Sequence, residues 1–388
     1  MKNKVYLISF EYFPISEGGL ARHAKAVIDR LLENKDYKAV IATPKNNKIK
    51  LQEDIIAISC AFFGNKFLCY LEFSLKVFFR FRNRFNIDSF VIFSLFSYFL
   101  LPILPRKFYI FVHSNGKKVF QTDYPDENLV ERVIRKFLYF FNFQWEKYLC
   151  KKTKKVFSVS SSLKNETVCQ YEIDKNKIIV INNGLDANIF KKTLKVKKDT
   201  KNLLFVGKII YRKNIIDLIK IFKMLVSIDP EYKLHIMGNG SSKYLGKIRT
   251  KISDFKLNNK IFLYNYVSDI RLNNLYEKCS LFTSTSLIEG FGLVLLEAMN
   301  KGLPVIAYEN LGFNDIVIKG ENGYLVKQND YNDFVNKVLF LFKNKKIYQK
   351  MSINALKTVD YFSWDKSVRK LADEIEWKGK SIKLSNTK

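Results

Sequence analysis

Segments of strand length alternate with segments of helix length throughout the second half of this chain, and this alternation constrains its fold most strongly. The predicted order is strand 202–207, helix 214–227, strand 232–237, helix 242–254, strand 260–264, helix 271–278 and strand 280–284. Strands that are separated by single helices pair in parallel through right-handed crossovers. The pattern therefore predicts an α/β domain built on a Rossmann-like sheet.

The first half of the chain has the same organisation. Residues 4–10 and 38–42 have the apolar character of buried strands, and residues 19–33 between them have a helical pattern. Further strands are predicted at 155–159 and 177–181. We therefore expect a second, separate parallel sheet.

A lysine-rich segment separates the two halves. We predict a first domain over residues 1–188, a linker over 189–201 and a second domain over 202–360. Residues 361–388 are predicted to form a C-terminal helix followed by a basic tail. Because ligands bind at the carboxyl ends of parallel strands, we expect the binding site where these ends of the two sheets face each other.

One segment of the second half combines two carboxylates with two glycines. Glu289 is followed by Gly290 and Gly292, and Glu297 lies eight positions after it. An apolar strand precedes Glu289, and a helix is predicted over 293–300. Glycines let a ligand approach the backbone closely, and the N–H groups of a helix start suit a phosphate. Glu297, about two turns further on, is expected to reach ribose hydroxyls.

Several further motifs follow one another along the chain. They are E-G-G-L-A-R-H at 17–23, I-N-N-G-L-D at 181–186, F-V-G-K at 205–208 with Lys213, the two-glutamate segment, P-V-I-A at 304–307 and N-G-Y-L-V at 322–326. In this order they resemble the retaining glycosyltransferases of family 4, which have the GT-B fold. The resemblance implies two Rossmann-like domains whose sheets face each other across a central cleft. It also implies an N-terminal acceptor domain, onto which the last helix returns, and a C-terminal donor domain.

The resemblance further implies roles for residues of the second domain. Glu289 contacts the transferred sugar, and Glu297 contacts the ribose of the nucleotide. The donor is also held by Gly290, Phe291, Gly292 and Leu293. Transfer in this family occurs on the front face of the sugar, and the leaving phosphate helps to deprotonate the acceptor hydroxyl.

Positive charge beside the donor diphosphate stabilises the charge that develops as the sugar bond breaks. The sequence contains no Asp-x-Asp motif, so we predict that neither a metal ion nor another cofactor takes part. Lys208 and Lys213, which follow the strand ending at Gly207, are expected to supply the charge together with Arg212. The family usually has Arg at the position of Lys208, and Lys offers a point charge rather than a bidentate fork.

Glycines and histidines mark the expected site in the first domain. Gly18 and Gly19 are expected to let backbone N–H groups approach the diphosphate or the acceptor; alternatively, they only form a tight turn. His113 follows the strand 108–112, where the family often has a histidine near the sugar hydroxyls. His23 is expected to orient the acceptor or a phosphate. The predicted catalytic residues are Glu289, His113 and Lys213.

Composition limits the class of protein. A chain of 388 residues that is 47% hydrophobic suits two globular domains. Its five cysteines are scattered, which indicates reduced thiols in the cytosol, and no signal peptide is predicted. The formal net charge of +29 attracts polyanions. Without a zinc-finger or RNA-recognition motif, however, we expect no specific nucleic-acid partner.

Residues 61–111 are rich in Phe and Tyr and have more basic than acidic side chains. Their first half resembles an interfacial amphipathic helix, in which Arg80, Arg82 and Arg84 are expected to bind anionic lipid. The alternative is ordinary core packing. Residues 89–105 lack charge but contain two prolines and are barely long enough to span a bilayer, so we predict a strand, a turn and a short helix there.

Together these features predict a hexosyltransferase of enzyme class 2.4. Its donor is expected to be a nucleotide sugar, with UDP favoured over GDP, and its acceptor a glycan or lipid-linked oligosaccharide. We expect a role in bacterial surface polysaccharide, capsule or lipopolysaccharide synthesis. The predicted location is cytoplasmic and peripheral, at the anionic inner face of the cytoplasmic membrane. The alternatives are a catalytically inactive GT-B binding protein and a nucleotide-sugar epimerase.

Overall fold

A computed structural model gives the fold of the chain. The structure describes residues 4–15, 18–45, 50–62, 66–93, 107–114, 129–185, 201–265 and 269–375. Three predicted features therefore lie largely or wholly outside the described residues: the linker before residue 201, the end of the apolar segment after residue 93, and the basic tail after residue 375.

The described residues form two compact units. The first unit contains the residues up to Gly184 together with those from Trp364 onward, and the second contains Leu185–Ser363. Each unit has its own parallel sheet flanked by helices. The predicted α/β class with two Rossmann-like sheets is confirmed.

The sheet of the first unit is entirely parallel. Its strands are β1 (Val5–Ser9), β2 (Tyr37–Pro44), β3 (Ile55–Cys60), β4 (Ser89–Ile92), β5 (Lys107–Val112), β6 (Lys155–Ser158) and β7 (Ile178–Val180). Their order across the sheet is β3-β2-β1-β4-β5-β6-β7. All five residues of β1 are buried, because a central parallel strand is covered by helices on both faces. The direction of strand addition reverses between β1 and β4.

Helices cover both faces of this sheet. In chain order they are α1 (Gly19–Leu31), α2 (Lys66–Phe81), α3 (Leu129–Lys152) and α4 (Ser161–Tyr171). Phe73 and Phe81 of α2 and Leu149 of α3 belong to one buried cluster, which also contains Ile8 of β1 and Ile110 of β5. The two helices α2 and α3 therefore lie on the same face of the sheet.

The second unit repeats the arrangement with six strands. They are β8 (Asn202–Val206), β9 (Lys233–Met237), β10 (Ile261–Tyr264), β11 (Leu281–Ser284), β12 (Val305–Tyr308) and β13 (Gly323–Val326). Their order is β10-β9-β8-β11-β12-β13, and every pairing is parallel. The direction of strand addition reverses between β8 and β11.

The remaining helices follow this second series of strands. They are α5 (Ile215–Ile228), α6 (Ser242–Asp254), α7 (Asp269–Lys278), α8 (Leu293–Met299), α9 (Leu311–Asn314), α10 (Tyr331–Lys343), α11 (Lys345–Val359) and α12 (Trp364–Glu374). The predicted helix 214–227 begins one residue later, because Asn214 is left-handed with φ +49° and cannot continue a right-handed helix.

The last helix, α12, belongs to the first unit and packs against α1. Arg30 of α1 and Asp365 of α12 form an ion pair with a 2.9 Å Nε–Oδ1 distance. Ser367 donates a 2.6 Å hydrogen bond to the Asn182 carbonyl, and the Tyr109 hydroxyl donates one of 2.9 Å to the Ile375 carbonyl. The end of the described chain thus completes the unit in which the chain begins.

The aromatic segment at 61–111 contributes mainly to the core. Phe73, Phe81 and Phe85 are buried. Among the described phenylalanines of α2, only Phe79 is largely exposed to solvent. Arg84 forms a 2.8 Å ion pair with the buried Asp88, so it has a structural partner. Core packing, the alternative considered above, therefore accounts for most of the aromatic content. Within the described residues, no helix combines the length and apolar character needed to cross a bilayer.

Candidate active site

The carboxyl ends of β8 and β11 lie side by side at the point where strand addition reverses. In open parallel sheets this is where ligands bind, because the two flanking loops diverge and leave a crevice. The loop after β8 carries Gly207 to Asn214, and the loop after β11 carries Thr285 to Gly292. These two loops contain most of the residues that were predicted to bind the donor.

Three charged side chains meet between the two loops. Lys213 and Glu289 form an ion pair between Nζ and Oε1, and both side chains are about nine-tenths buried. Arg212 Nη1 lies 3.3 Å from the other Glu289 oxygen and donates a 2.9 Å hydrogen bond to the Ile288 carbonyl. The cluster contains two cations and one carboxylate, so it keeps a net positive charge.

The charges of the cluster stabilise one another. Burial alone would raise the pKa of Glu289, but Lys213 and Arg212 outweigh burial and hold that pKa below its usual value. Burial lowers the pKa of Lys213, Glu289 opposes this, and Arg212 adds to it. Glu289 is therefore ionised at neutral pH and accepts hydrogen bonds from Lys213 and from Ser286.

Hydrogen bonds hold the two loops together. Leu287 N–H donates a 2.8 Å bond to the Arg212 carbonyl, and the Thr285 hydroxyl donates one of 2.8 Å to the Asn214 carbonyl. These contacts fix the backbone on either side of the charged cluster. Thr285 and Ser286 were not predicted as site residues, because their only signal in the sequence is their position directly after an apolar strand.

The segment after β12, which includes α9, packs against the loop that carries Glu289; we call that loop, Thr285 to Gly292, the glutamate loop. Asn310 donates a 3.0 Å hydrogen bond to the Ser286 carbonyl. A β-carbon on Gly312 would lie 2.6 Å from the Phe291 nitrogen and 2.9 Å from the Glu289 carbonyl oxygen. Only glycine therefore lets this loop approach so closely. Sequence reasoning missed both Asn310 and Gly312.

The segment after Glu289 makes a sharp turn into α8. Gly292 has φ +110°, which side chains rarely adopt, and a β-carbon there would lie 2.8 Å from the Phe313 ring. Phe291 is buried against Phe362, and Leu293 is the first residue of α8. Gly290, between Glu289 and Phe291, is half-buried. The tight turn thus depends on glycine at position 292.

The other two donor-site predictions have different surroundings. Glu297 lies in α8, is almost fully buried and accepts a 2.9 Å hydrogen bond from the Tyr276 hydroxyl. Lys208 is exposed at the start of the loop after β8. The structure therefore brings Arg212, Lys213 and Glu289 into direct contact, whereas Glu297 and Lys208 lie outside this contact.

The candidate residues of the first unit lie beyond the carboxyl ends of its strands, after β1 and after β5. Gly18, with φ +128°, directly precedes α1, and Gly19 is the first residue of that helix. His113 follows β5 and donates a hydrogen bond to the Phe93 carbonyl, which follows β4. Its Nε2 is buried and has no hydrogen-bond partner in the part of the chain that the structure describes.

His23, in α1, supports His113. The two rings meet edge to face with centroids 4.7 Å apart, and His23 Nδ1 lies 2.7 Å from the Asn183 side-chain oxygen. His23 is fully buried, which leaves no surface for the predicted contact with an acceptor or phosphate. Burial lowers the pKa of His23 to about 4. The pKa of His113 is held well below its usual value by its own burial and by the nearby His23. Both rings are therefore neutral at physiological pH.

Two family profiles match adjoining parts of the sequence. The profile described as Glycosyltransferase Family 4 matches residues 17–189. The profile described as Glycosyl transferases group 1 matches residues 186–358. Together they cover all the candidate residues of both units.

Two curated relatives illustrate the similarity in sequence. The Bacillus subtilis poly(glycerol-phosphate) alpha-glucosyltransferase is 32% identical over 46% of this chain and 26% of its own length. The Escherichia coli UDP-Gal:alpha-D-GlcNAc-diphosphoundecaprenol alpha-1,3-galactosyltransferase is 28% identical over 60% of this chain and 62% of its own length. In both cases the chain spans less than two thirds of the relative.

Solved structures match over almost the whole chain. Sucrose-phosphate synthase from Thermosynechococcus elongatus has a TM-score of 0.78 at 18% identity, covering 97% of this chain and 98% of its own. Anabaena Alr3699/HepE, solved with UDP and glucose, has a TM-score of 0.73 at 16% identity, covering 97% and 100%. At these identities the likeness establishes the fold.

Proposed function

This chain belongs to glycosyltransferase family 4, and we propose that it transfers a hexose or N-acetylhexosamine from a nucleotide sugar to a glycan acceptor in bacterial surface polysaccharide synthesis. We further propose that transfer retains the configuration of the sugar and needs no metal ion. UDP is the favoured nucleotide, and GDP is the alternative.

The observation that carries the proposal is the net positive cluster of Arg212, Lys213 and Glu289. It lies where strand addition reverses in the second sheet, the place where nucleotides bind in such sheets. A diphosphate is an anion whose charge grows as the sugar–oxygen bond breaks, so fixed cations stabilise its departure. Lys213 has three N–H donors, so it can bridge Glu289 and a phosphate oxygen at the same time.

Three further side chains have proposed roles. Glu289 is ionised and fixed by two cations, which suits it to accept hydrogen bonds from sugar hydroxyls. His113 is neutral, so its unpartnered Nε2 is an acceptor for a hydroxyl rather than a source of protons. Glu297 is proposed to accept from the ribose hydroxyls, and Gly18, Gly19 and Gly290 to Leu293 to offer backbone groups. The departing phosphate oxygen would take the acceptor proton.

The nucleotide and the acceptor are inferred from the relatives. HepE, which shares the fold, was solved with UDP and glucose. The E. coli relative is named for a UDP-galactose donor and a diphosphoundecaprenol-linked acceptor. We therefore propose that this chain uses a UDP sugar and a lipid-linked oligosaccharide, and that it works as a peripheral protein on the anionic cytoplasmic face of the membrane.

The proposal is tested with a panel of UDP-glucose, UDP-galactose, UDP-N-acetylglucosamine and GDP-mannose. The panel is screened for raised thermal midpoints and, by mass spectrometry, for release of the nucleotide diphosphate. We expect one UDP sugar to stabilise the protein and to be turned over at the same rate with and without EDTA. Loss of turnover in EDTA, restored by Mn²⁺ or Mg²⁺, would disprove metal independence.

A matched pair of variants tests the site itself. Lys213→Ala should abolish turnover, since it removes one of the two cations that touch Glu289. Lys220→Ala removes a lysine of the same unit that is paired with Asp217, 3.0 Å away, outside the cluster. It should retain full turnover. UDP binding without turnover on any acceptor would instead indicate an inactive binding protein.

A further inference from the structure

The outward side of α3 carries an unusual density of exposed apolar side chains. Val130, Val133, Ile134, Phe137, Phe140 and Phe141 are all exposed, and Phe137 is 60% accessible. Their spacing of three and four residues places them along one side of the helix. We call this side of α3, defined by these six residues, the α3 face. Contiguous apolar patches of this kind mark interaction surfaces.

The C-terminal half of α3 holds the helix in the unit. Leu149 belongs to the buried core cluster and Trp145 packs against it, while Asn142 and Glu146 are also buried. The residues from Asn142 onward therefore anchor the helix to the sheet. All six residues of the α3 face are exposed, so this face contributes nothing to the core of the part of the chain that the structure describes.

Charge determines which occupant fits. The exposed residues of α3 include Lys151 and Lys152 at its C-terminal end; Lys151 lies 3.6 Å from the exposed carboxylate of Glu172, and α3 itself has no exposed carboxylate among the side chains that the structure describes. The whole chain carries a formal charge of +29. A second copy would bring the same positive charge to the interface. An anionic lipid surface instead offers both apolar depth for the Phe rings and negative headgroups for the lysines.

The neighbouring helix α2 adds a smaller contribution on the same face of the sheet. Its exposed residues include Phe79 and Arg80, and the exposed Arg82 directly follows the helix. Most of its other aromatic side chains are buried, so α2 alone has little to insert. The aromatic stretch that first suggested membrane contact is thus secondary, and α3 presents the larger apolar surface.

We propose that the α3 face inserts into the headgroup region of an anionic bilayer and so docks the enzyme where its acceptor lies. This inference rests on the proposed function only for the acceptor; docking itself is a property of the first unit. The partner is a lipid surface, with Phe137 and Phe141 as the deepest contacts and the terminal lysines at the headgroup level.

The test is co-sedimentation of the full chain with phosphatidylglycerol–cardiolipin vesicles and with phosphatidylcholine vesicles. We expect binding to the anionic vesicles alone, weakened by salt. Phe137→Ser combined with Phe141→Ser should lower the partition constant by about tenfold or more, since two apolar rings no longer leave water. The control pair Ile270→Ser and Phe340→Ser changes exposed apolar residues of the second unit and should leave binding within about twofold.

Other occupants give different results. Failure of the wild-type chain to bind anionic vesicles overturns the proposal. Unchanged vesicle binding of the α3 variant also overturns it. Concentration-dependent dimers that this variant abolishes would assign the α3 face to a second copy, and a lower thermal midpoint with unchanged vesicle binding would assign it to a segment of the chain itself.

The proposed enzymatic function is measured in an assay that does not depend on vesicle binding. Hydrolysis of the UDP sugar without acceptor needs no membrane, so it should be the same in the α3 variant and in the wild-type chain. If no nucleotide sugar is hydrolysed but the vesicle results stand, the enzymatic proposal fails and the docking proposal survives.

Discussion

His23 and His113 meet edge to face inside the first unit, with their ring centroids 4.7 Å apart. Each ring uses one nitrogen on a fixed acceptor, the Asn183 side chain for His23 and the Phe93 carbonyl for His113. The Nε2 atoms of both are buried without a hydrogen-bond partner among the described residues. Protonating either ring would therefore place an unpaired charge in the interior, which opposes protonation.

Burial of His23 makes the stability of the first unit depend on pH. The pKa of His23 is about 4 in the folded chain against a model-peptide value of 6.5, so between these values the unfolded chain binds more protons. The stabilisation from neutral His23 is complete above pH 6.5 and is lost as pH falls towards 4, by roughly 3 kcal/mol in total. His23→Gln, measured by urea unfolding from pH 7.5 to 4.5, should flatten this dependence. Retention of the full wild-type slope would contradict the prediction.

Removing one partner of the buried Lys213–Glu289 ion pair should lower the stability more than removing both partners. Lys213→Met leaves Glu289 buried without its main partner, so the free energy of unfolding should fall by about 3–5 kcal/mol. Replacing both residues, as Lys213→Met with Glu289→Leu, should recover much of this loss while activity stays absent. Lys220→Met is the control, since that lysine is 39% exposed and its ion pair should contribute at most about 1 kcal/mol. Additive losses in the double variant would argue against coupling.

Gly312→Ala tests the close contact beneath the glutamate loop. The new methyl group would overlap the backbone around Phe291, so we expect a loss of about 1–3 kcal/mol in stability and weaker binding of the donor. Gly246→Ala is the matched control: it lies in α6 with no heavy atom within 4 Å of the added β-carbon. That variant should be stabilised by up to about 1 kcal/mol. Equal effects of the two substitutions would refute a packing role for Gly312.

Two substitutions distinguish the role of Glu297 in UDP binding from that of Tyr276. Glu297→Ala should weaken UDP binding by about 1–3 kcal/mol, if its carboxylate accepts from the ribose hydroxyls. Tyr276→Phe removes only the hydroxyl that donates to Glu297, so it should weaken binding by about 1 kcal/mol or less. Calorimetric titration with UDP measures both. An unchanged affinity in folded Glu297→Ala would remove Glu297 from the donor site.

Sequence patterns predicted the two sheets and the family well, and for physical reasons. Central parallel strands are buried on both faces, so β1, β8 and β11 stand out as apolar runs. The family resemblance is confirmed by profiles that together span residues 17–358. The position of Arg212 and Lys213 a few residues after the predicted strand 202–207 also indicated that they lie in a loop beside the sheet.

Other features could not be predicted from local patterns. The support given to Glu289 by Asn310 and Gly312 depends on the contact of loops that are distant in sequence. The burial of His23 depends on Trp364, whose ring lies 5.5 Å from it and which comes from the far end of the chain. The α3 helix was not predicted, and neither was its exposed apolar side, because a helical apolar pattern does not reveal which side faces the core.

The return of α12 to the first unit has a consequence for how the chain is made. The second unit is one continuous stretch, Leu185–Ser363, whereas the first lacks its partner for α1 until Trp364 and the residues after it have been synthesised. Because domains generally fold as units during synthesis, the later-made unit can finish folding before the earlier one. Pulse proteolysis of chains halted after Ser363 should find the second unit protected and the first unit open. Assembly of the first unit would then wait until the residues of α12 have been made and can pair with α1.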